Sequence, residues 1–381
     1  MVKKPTYQQI AGIIGIGLLF FLSIQLLGLS FRHMSTDIAT AINVATSNPF
    51  IGLFIGLLTT AILQSSSTTT SMAVAAVAAG SISLQGAIPI IMGANIGTTL
   101  TSTIVSMSYI TKEKEFRKAL SAGTAHDIFN ILLVVLLFPL EYNYGFLTFL
   151  SQSATDLITI GHHSEEINQT FIEKGFISQS LSSIVAFIGP LLSLIIAIAL
   201  LFTTVKMISS LLYSRLIGET KEQFRSVVFR NTGRSFGWGI LLTSLIQSSS
   251  LTTSLIVPLV ATSKVKLKRA FQFILGANLG TTITALLAAL FKSEAAISLA
   301  LAHFLFNAIG ITLFLGIPFL RDLPVYLAKK LGWITLKHRV AGFVYIIFIF
   351  FLLPFTLIYF STKDSDIVKQ TTKVNIKTDN Y

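Results

Sequence analysis

Apolar segments about 20 residues long recur along the chain, and a helix needs this length to cross a bilayer. Five stretches meet it without interruption: 10–30, 119–140, 181–203, 295–320 and 340–360. Charged residues make up only 12% of the chain, whereas soluble domains carry about 25%. We therefore expect an all-α polytopic membrane protein.

The charge balance agrees with this interpretation. The chain has 28 Lys and Arg against 16 Asp and Glu, and the basic residues lie between the apolar segments. Basic loops of this kind orient membrane helices, so we do not expect nucleic acid as a partner. Because the chain contains no cysteine, disulfides and thiolate catalysis are excluded.

Four further apolar stretches carry polar motifs at their centres. Gln-Ser-Ser-Ser clusters begin at Gln64, within 50–79, and at Gln247, within 237–261. A 30-residue helix would be about 45 Å long, more than the roughly 30 Å hydrocarbon core, so we expect each cluster to turn a re-entrant hairpin of two half-helices. A long tilted helix with a polar stripe is the alternative.

The other two stretches each contain a Gly-Ala-Asn-x-Gly-Thr-Thr motif. The motifs occupy 93–99, within 86–107, and 276–282, within 270–291. Their glycines are expected to permit helix breaks, and these are Gly93, Gly97, Gly276 and Gly280. Small and polar residues in membrane helices can also serve helix packing, which is the alternative interpretation.

The motifs recur in one order, which indicates a tandem duplication. Position 64 maps to 247 and 93 to 276 at an offset of 183, while 125–130 maps to 302–307 at an offset of 177. We expect repeat 1 over 1–140, an external connection over 141–180 and repeat 2 over 181–320. A cytoplasmic amphipathic segment with the last span follows over 321–360, and a polar tail over 361–381.

Charge placement predicts that the two repeats are inverted. The linker 204–236 holds six Lys and Arg, whereas 141–180 holds one Lys against five acidic residues. The loop 80–86 is uncharged, but its counterpart 263–269 carries three Lys and one Arg. This exchange of sides is typical of inverted-topology repeats. We expect about seven full spans, two re-entrant hairpins, a cytoplasmic N-terminus and an external tail.

Broken helices at membrane depth line cavities or are buried in protein. Half-helix N-termini favour anions, and unwound carbonyl groups favour cations. No Lys or Arg lies in or near the motifs along the sequence, so co-bound cations are expected to neutralise an anion. Oxygen-only ligands suit hard cations, which makes an anion carried with sodium the ligand that satisfies both conditions.

The paired clusters, the paired Gly-Ala-Asn-x-Gly-Thr-Thr motifs and the segment 115–130 closely resemble the type II sodium–phosphate cotransporter (NaPi-II) family, over about residues 15–360. The resemblance, to a bacterial member, implies sodium-coupled uptake of inorganic phosphate across the cytoplasmic (plasma) membrane by alternating access. It implies sodium as the co-transported ion and no organic cofactor, further metal or catalytic residue.

Resemblance and motif chemistry together give the expected ligands of each substrate. The phosphate-binding positions are Gln64, Ser65, Ser66, Ser67, Gln247, Ser248, Ser249 and Ser250. The sodium-binding positions are Thr68, Asn95, Thr98, Thr99, Asn278, Thr281, Thr282 and again Ser250.

Three ionisable residues lie inside predicted spans. Asp127 is a candidate for coupling to sodium, although its repeat partner is Phe304 and a structural hydrogen-bonding role is the alternative. His126 and His303 match each other; proton binding and packing are both open.

Rival functions stay open at the level of sequence. One is a sodium- or proton-coupled carrier of another oxyanion such as sulfate, and a passive channel is another. An integral-membrane phosphatase is the rival enzyme, but it needs an activated nucleophile and cations at the transferred group, and the serine clusters have no adjacent His, Glu or Arg. Expected partners are phosphate, sodium and membrane lipid; the oligomeric state is open, with a homodimer as one option.

Overall fold

The computed structural model describes residues 7–159, 176–217, 226–290 and 292–360, and the regular structure within these ranges is helical throughout. Seven segments are long and apolar enough to cross a membrane, namely 14–32, 84–107, 113–144, 190–211, 267–289, 294–316 and 341–360. An all-α polytopic membrane protein with about seven spans is thereby confirmed.

The described residues 7–159 form eight helices. They are α1 (Tyr7–Arg32), α2 (Thr36–Thr46), α3 (Pro49–Leu63), α4 (Ser66–Ala78), α5 (Leu84–Gly97), α6 (Leu100–Met107), α7 (Glu113–Tyr144) and α8 (Phe146–Thr159). A bend of 100° separates α2 from α3.

The second half follows a similar order. Its helices are α9 (Phe176–Ile188), α10 (Pro190–Ile217), α11 (Thr232–Ile246), α12 (Ser249–Ser254), α13 (Ile256–Ala261), α14 (Leu267–Gly280), α15 (Thr282–Ala289), α16 (Glu294–Gly316), α17 (Pro318–Lys337) and α18 (Ala341–Ile347), which continues through the π-helical turn Phe348–Leu352.

Both serine clusters interrupt a helix, so the continuous tilted helix is wrong. Gln64 follows α3 with φ of 53°, and Gln247 follows α11 with φ of 56°. The next residue caps the following helix in each case: Ser65 Oγ accepts from the Thr68 amide at 3.2 Å, and Ser248 Oγ accepts from the Leu251 amide at 3.3 Å. A left-handed residue followed by an N-cap serine therefore produces the same turn twice.

Matching contacts hold each pair of half-helices together. Thr60 Oγ1 lies 2.9 Å from Thr69 Oγ1 between α3 and α4. The residues at an offset of 183, Thr243 and Thr252, bond at the same 2.9 Å between α11 and α12. The sequence duplication is thus accompanied by duplicated local geometry at the two turns.

The motif glycines serve close helix packing. A Cβ atom on Gly93 would lie 1.8 Å from a carbonyl oxygen of α3, and one on Gly276 would lie 2.1 Å from a carbonyl oxygen of α11. Helices α5 and α14 run through these two residues, so the prediction that they permit breaks is wrong. Gly97 and Gly280 end these helices, but a Cβ there would also lie 2.4 and 2.5 Å from carbonyl oxygens of α3 and α11.

Several predicted boundaries are also wrong. The span predicted at 181–203 is divided at Gly189, whose φ is 87°, and Pro190 begins α10. Helix α10 continues to Ile217, well into the predicted linker 204–236. The predicted connection 141–180 contains α8 and the beginning of α9. The rest of that connection, 160–175, and the tail 361–381 lie outside the described residues.

Helices of the two halves pack against each other. Helix α1 packs along α10, α7 along α17, and α16 along α8. Buried phenylalanines fill the space between α7, α14 and α16, where the ring centroids of Phe129 and Phe314 are 4.9 Å apart and those of Phe129 and Phe271 are 6.2 Å apart. Helices α4 and α15 contact each other, which links the halves.

Candidate functional site

The tips of the two hairpins meet in space. Ser67 Oγ of the first tip donates to the backbone carbonyl oxygen of Gln247 at 2.9 Å, and it lies 3.4 Å from Thr284 Oγ1. A second bridge joins Ser102 Oγ of α6 to Thr253 Oγ1 of α12 at 3.0 Å. Residues about 180 positions apart in sequence thus form one polar region.

A cavity of about 310 Å³ opens beside the tips. Both clusters line it, through Gln64 and Ser65 of the first and Ser248 and Ser250 of the second, together with Thr101 of α6. Four of the eight residues predicted to bind phosphate therefore share one cavity in this conformation.

The other four predicted phosphate ligands do not line it. Ser66, Ser67 and Ser249 are buried. Within the described part of the chain, Ser249 Oγ and Gln247 Oε1 are buried oxygens without a hydrogen-bond partner. Such atoms cost free energy unless a ligand satisfies them.

Helix α10 forms the remaining wall of the cavity and brings a positive charge. Lys206, Ser209 and Ser210 line the cavity. The Lys206 ammonium lies 5.8 Å from the centroid of the Phe202 ring, and Ser209 Oγ is buried without a described partner. The expectation that no Lys or Arg lies near the motifs is therefore wrong, because α10 brings in a lysine about 40 residues before the second cluster.

The two Asn-Gly motifs converge in a buried asparagine cluster. Asn278 Nδ2 donates to Asn130 Oδ1 at 2.9 Å and to Asn307 Oδ1 at 2.7 Å. Asn307 Nδ2 lies 3.3 Å from Asn95 Oδ1, and Asn130 Nδ2 donates to the Asn95 carbonyl oxygen at 2.7 Å. Because these amides satisfy one another, Asn95 and Asn278 serve a structural network here.

The matched histidines lie beside this cluster. His126 Nε2 lies 3.0 Å from Asn278 Oδ1. Both ring nitrogens of His303 are buried without a partner among the described residues. The two positions are therefore equivalent in sequence but differ in their hydrogen bonding.

The threonines predicted to bind sodium divide into two groups. Thr98 and Thr282 donate to carbonyl oxygens of the preceding helices, α5 and α14, at 2.8 and 2.7 Å. Thr68 Oγ1 lies 2.8 Å from Ser65 Oγ. Thr281 Oγ1 is buried and has no partner in the described ranges. Among these, Thr281 has the oxygen most available to a cation.

Asp127 is fully buried and held by two hydroxyl groups. Thr99 Oγ1 donates to its Oδ1 at 2.8 Å, and the hydroxyl of Tyr345 donates to its Oδ2. Tyr345 belongs to the last span, which sequence reasoning had not connected to the site. The carboxylate thus joins α6, α7 and α18.

The arrangement suits binding rather than covalent chemistry. The cavity lining consists of hydroxyls, an amide, apolar side chains and one ammonium, and no His, Asp or Glu is among its lining residues. A hydrolytic serine needs an adjacent base. Hydroxyl and amide groups can instead replace the hydration shell of a small anion, with Lys206 supplying charge.

Comparison with known proteins places these features in a family. The model of the Na+/Pi-cotransporter family matches residues 19–161 and 200–350. The chain is 31% identical to sodium-dependent phosphate transport protein 2A of Ovis aries over 424 residues, which cover 88% of this chain and 65% of that protein. It is 31% identical to sodium-dependent phosphate transport protein 2B of Homo sapiens over 405 residues, 82% of this chain and 59% of that protein.

The chain spans less than two thirds of the length of these relatives. No solved structure matches it. Both serine turns, the cavity between them and the asparagine cluster fall inside the matched ranges. The chain therefore belongs to the Na+/Pi-cotransporter family.

Proposed function

We propose that this chain is a secondary active transporter that imports inorganic phosphate with sodium across the cytoplasmic membrane by alternating access. The observation that carries the proposal is the meeting of two matched Gln-Ser-Ser-Ser turns at one cavity that also holds Lys206. The printed names of the relatives, which are sodium-dependent phosphate transport proteins, point to the same substrates.

The chemistry of the cavity favours phosphate over sulfate. Phosphate near neutral pH carries a proton and can donate a hydrogen bond, whereas sulfate accepts only. Gln64 lines the cavity with an amide that offers both an acceptor oxygen and a donor nitrogen. Where Gln64 presents its oxygen to the ligand, protonated phosphate can donate to it, whereas sulfate would leave the acceptor unpaired.

Buried oxygens without partners support a sodium role for part of the predicted set. Gln247 Oε1, Ser249 Oγ and Thr281 Oγ1 meet this description among the described residues. Sodium is a hard cation that prefers such ligands. Of these three, Thr281 alone belongs to the predicted sodium set, so we assign sodium binding to Thr281 before Asn95 and Asn278. Gln247 and Ser249 stay proposed phosphate ligands, and Asp127 stays the candidate coupling residue.

The charge distribution supports an inverted topology with a cytoplasmic N-terminus. Gln85 and Lys268 occupy equivalent positions at an offset of 183 and are both exposed. Because the chain lacks cysteine, single Gln85→Cys and Lys268→Cys variants can be labelled with an impermeant thiol reagent. We expect labelling of the first from outside and of the second from inside; labelling of both from one side would contradict the inversion.

Transport itself is tested with purified protein in proteoliposomes. We expect uptake of radiolabelled phosphate to require an inward sodium gradient, and excess sulfate to compete poorly. Equal uptake in potassium buffer would refute sodium coupling, and strong competition by sulfate would favour the other oxyanion. Release of phosphate from a phosphate ester in the same preparation would instead support the phosphatase.

A further inference from the structure

A second cavity, of about 550 Å³, lies apart from the hairpin tips. It is enclosed by the beginning of α7, the turn between α13 and α14, and the second half of α17. Five cationic side chains and no acidic one line it: Arg117, Lys118, Lys266, Lys268 and Lys329. Like charges gathered in one cavity repel one another, so the cavity is suited to an anion.

Contacts within the fold hold some of these charges in place. The Arg117 guanidinium lies 4.5 Å from the centroid of the Trp333 ring, and Lys118 Nζ donates to Ser263 Oγ at 2.5 Å. Lys268 Nζ lies 3.1 Å from Asp322 Oδ1. Most of the positive charge is therefore left without an acidic partner among the described residues.

The residue that orients Lys118 adopts a backbone conformation that favours glycine. Ser263 has φ of 60°, and the equivalent residue in the first half is Gly80, with φ of 74°. A serine in this region is strained, and such strain clusters at functional sites. The second half thus retains a hydroxyl beside Lys118 where the first half makes the same turn with glycine.

The duplication supplies an equivalent region with which the whole cavity can be compared. Gly332 of α17 lies against Ser121 of α7, since a Cβ on Gly332 would be 2.3 Å from Ser121 Oγ. At an offset of 177, Thr155 corresponds to Gly332 and Ser298 to Ser121, and the hydroxyls of Thr155 and Ser298 are hydrogen-bonded at 2.8 Å. The architecture is therefore duplicated, but the five cations are not. Their counterparts are Glu294, Ala295, Ser83, Gln85 and Gln152.

Packing alone does not require these cations, because the equivalent helix pair, α8 and α16, packs together without them. The tendency of basic residues to lie on the cytoplasmic side explains a positive surface, but it does not explain a cavity that concentrates them. Apolar side chains complete the wall, including Val260, Val265 and Trp333. Tryptophan is enriched at the membrane interface.

A cavity lined by both cationic and apolar side chains matches an amphiphile with a phosphate head. We propose that it binds the phosphate group of an anionic phospholipid in the cytoplasmic leaflet, separately from the transport site. Basic pockets between membrane helices on the cytoplasmic side bind such head groups. Free inorganic phosphate shares the head-group chemistry, and the experiment distinguishes the two sources.

Trp333 provides the measurement, because the chain has only two tryptophans. A Trp238→Phe variant of the full chain leaves Trp333 as the reporter inside the cavity. The protein is reconstituted in phosphatidylcholine containing a small fraction of brominated phosphatidylglycerol, or the same fraction of brominated phosphatidylcholine. We expect the anionic lipid to quench Trp333 at a lower fraction, and equal quenching would overturn the proposal.

Charge variants test whether the cavity itself causes this preference. Lys266→Gln is the primary variant, since Lys266 makes no side-chain hydrogen bond or ion pair with the described residues and its loss leaves the fold's contacts intact. We expect it to lower the relative affinity for the anionic lipid about fivefold, the equivalent of ~1 kcal/mol per basic residue. Lys330→Gln on α17 removes the same charge outside the cavity lining and is the matched control.

An equal loss in Lys266→Gln and Lys330→Gln would overturn the proposal, because it would indicate a general effect of surface charge. Sodium phosphate and sodium chloride are then added at the same ionic strength. Relief of quenching by phosphate alone would assign the cavity to the free anion and overturn the lipid assignment. Equal, partial relief of quenching in the two salts, as expected from screening alone, combined with loss in Lys266→Gln alone, is the result we expect.

Discussion

The contacts of Ser67 and Ser250 differ, although the two residues are equivalent at an offset of 183. Ser67 Oγ donates to the Gln247 carbonyl oxygen at 2.9 Å. Ser250 lines the cavity and makes no side-chain hydrogen bond with the described residues. Thr284, which lies near Ser67, corresponds to Thr101, whose Oγ1 is buried and has no partner among the described residues. One tip is thus closed by a bond that the other tip lacks.

This asymmetry predicts the alternative conformation of a transporter with equivalent halves. In that state Ser250 would donate to the Gln64 carbonyl oxygen, and Ser67 would line a cavity on the opposite face. Ser67→Ala removes a bond that only the observed state makes. A net hydrogen bond stabilises by about 0.5–1.5 kcal/mol, so the equilibrium should shift away from the observed state by about 2- to 13-fold.

Cysteine accessibility measures this shift without substrate. Ser210 lines the cavity and is exposed, so Ser210→Cys in the cysteine-free chain reports how often the cavity is open. We expect Ser67→Ala to slow labelling by an impermeant thiol reagent, by up to about fivefold where the open state is the minor one. Ser250→Ala weakens only the opposite state and should change labelling in the other direction.

The pair of variants makes the reasoning refutable. Each removes one hydroxyl from equivalent positions, so a general loss of folding would affect both alike. Labelling rates that change in the same direction in Ser67→Ala and Ser250→Ala, or that do not change at all, would show that the Ser67–Gln247 bond does not control access to the cavity.

Three further substitutions address coupling, substrate charge and packing. Asp127→Asn should raise the sodium concentration for half-maximal uptake, and its amide oxygen still gives Tyr345 a hydrogen-bond acceptor. An unchanged sodium titration would assign a structural role to Asp127. Lys206→Gln should raise the phosphate concentration for half-maximal uptake about fivefold, because a hydrated ion pair contributes ~1 kcal/mol. The difference between variant and parent should shrink with added salt. An effect independent of salt would contradict an electrostatic role. Gly276→Ala on α14 places a Cβ 2.1 Å from a carbonyl oxygen of α11, whereas Gly237→Ala on α11 meets nothing within 4 Å. We expect thermal unfolding in detergent to show a loss of ~1–3 kcal/mol for the first alone, and equal stability of the two variants would contradict the packing argument.

The helical breaks could be predicted because each has a local cause. Polar clusters in apolar stretches that are too long for one span indicated the turns at Gln64 and Gln247, and repetition strengthened both. The division of the span at 181–203 was also readable, since Gly189 followed by Pro190 is a helix end and a helix start. That signal was masked by the continuous hydrophobicity around it.

Other features depend on tertiary contacts that no local pattern encodes. Lys206 belongs to the site only because α10 packs beside the tips, and its sequence neighbourhood resembles a charged helix end. The amides of Asn95 and Asn278 looked like ligands because an isolated buried amide needs a partner. Asn130 and Asn307 satisfy them instead, and the matched spacing of the four asparagines was the available signal.

The hydrogen bond between Tyr345 and Asp127 has a consequence for biogenesis. The two residues are 218 positions apart, and a ribosome adding about 5–20 residues each second needs roughly 10–45 s to produce the second after the first. During this interval α7 is already in the membrane, while its buried carboxylate has only the Thr99 hydroxyl as a described partner. A nascent chain that stalls before α18 would therefore carry an incompletely bonded aspartate inside the membrane, where a buried carboxylate is costly.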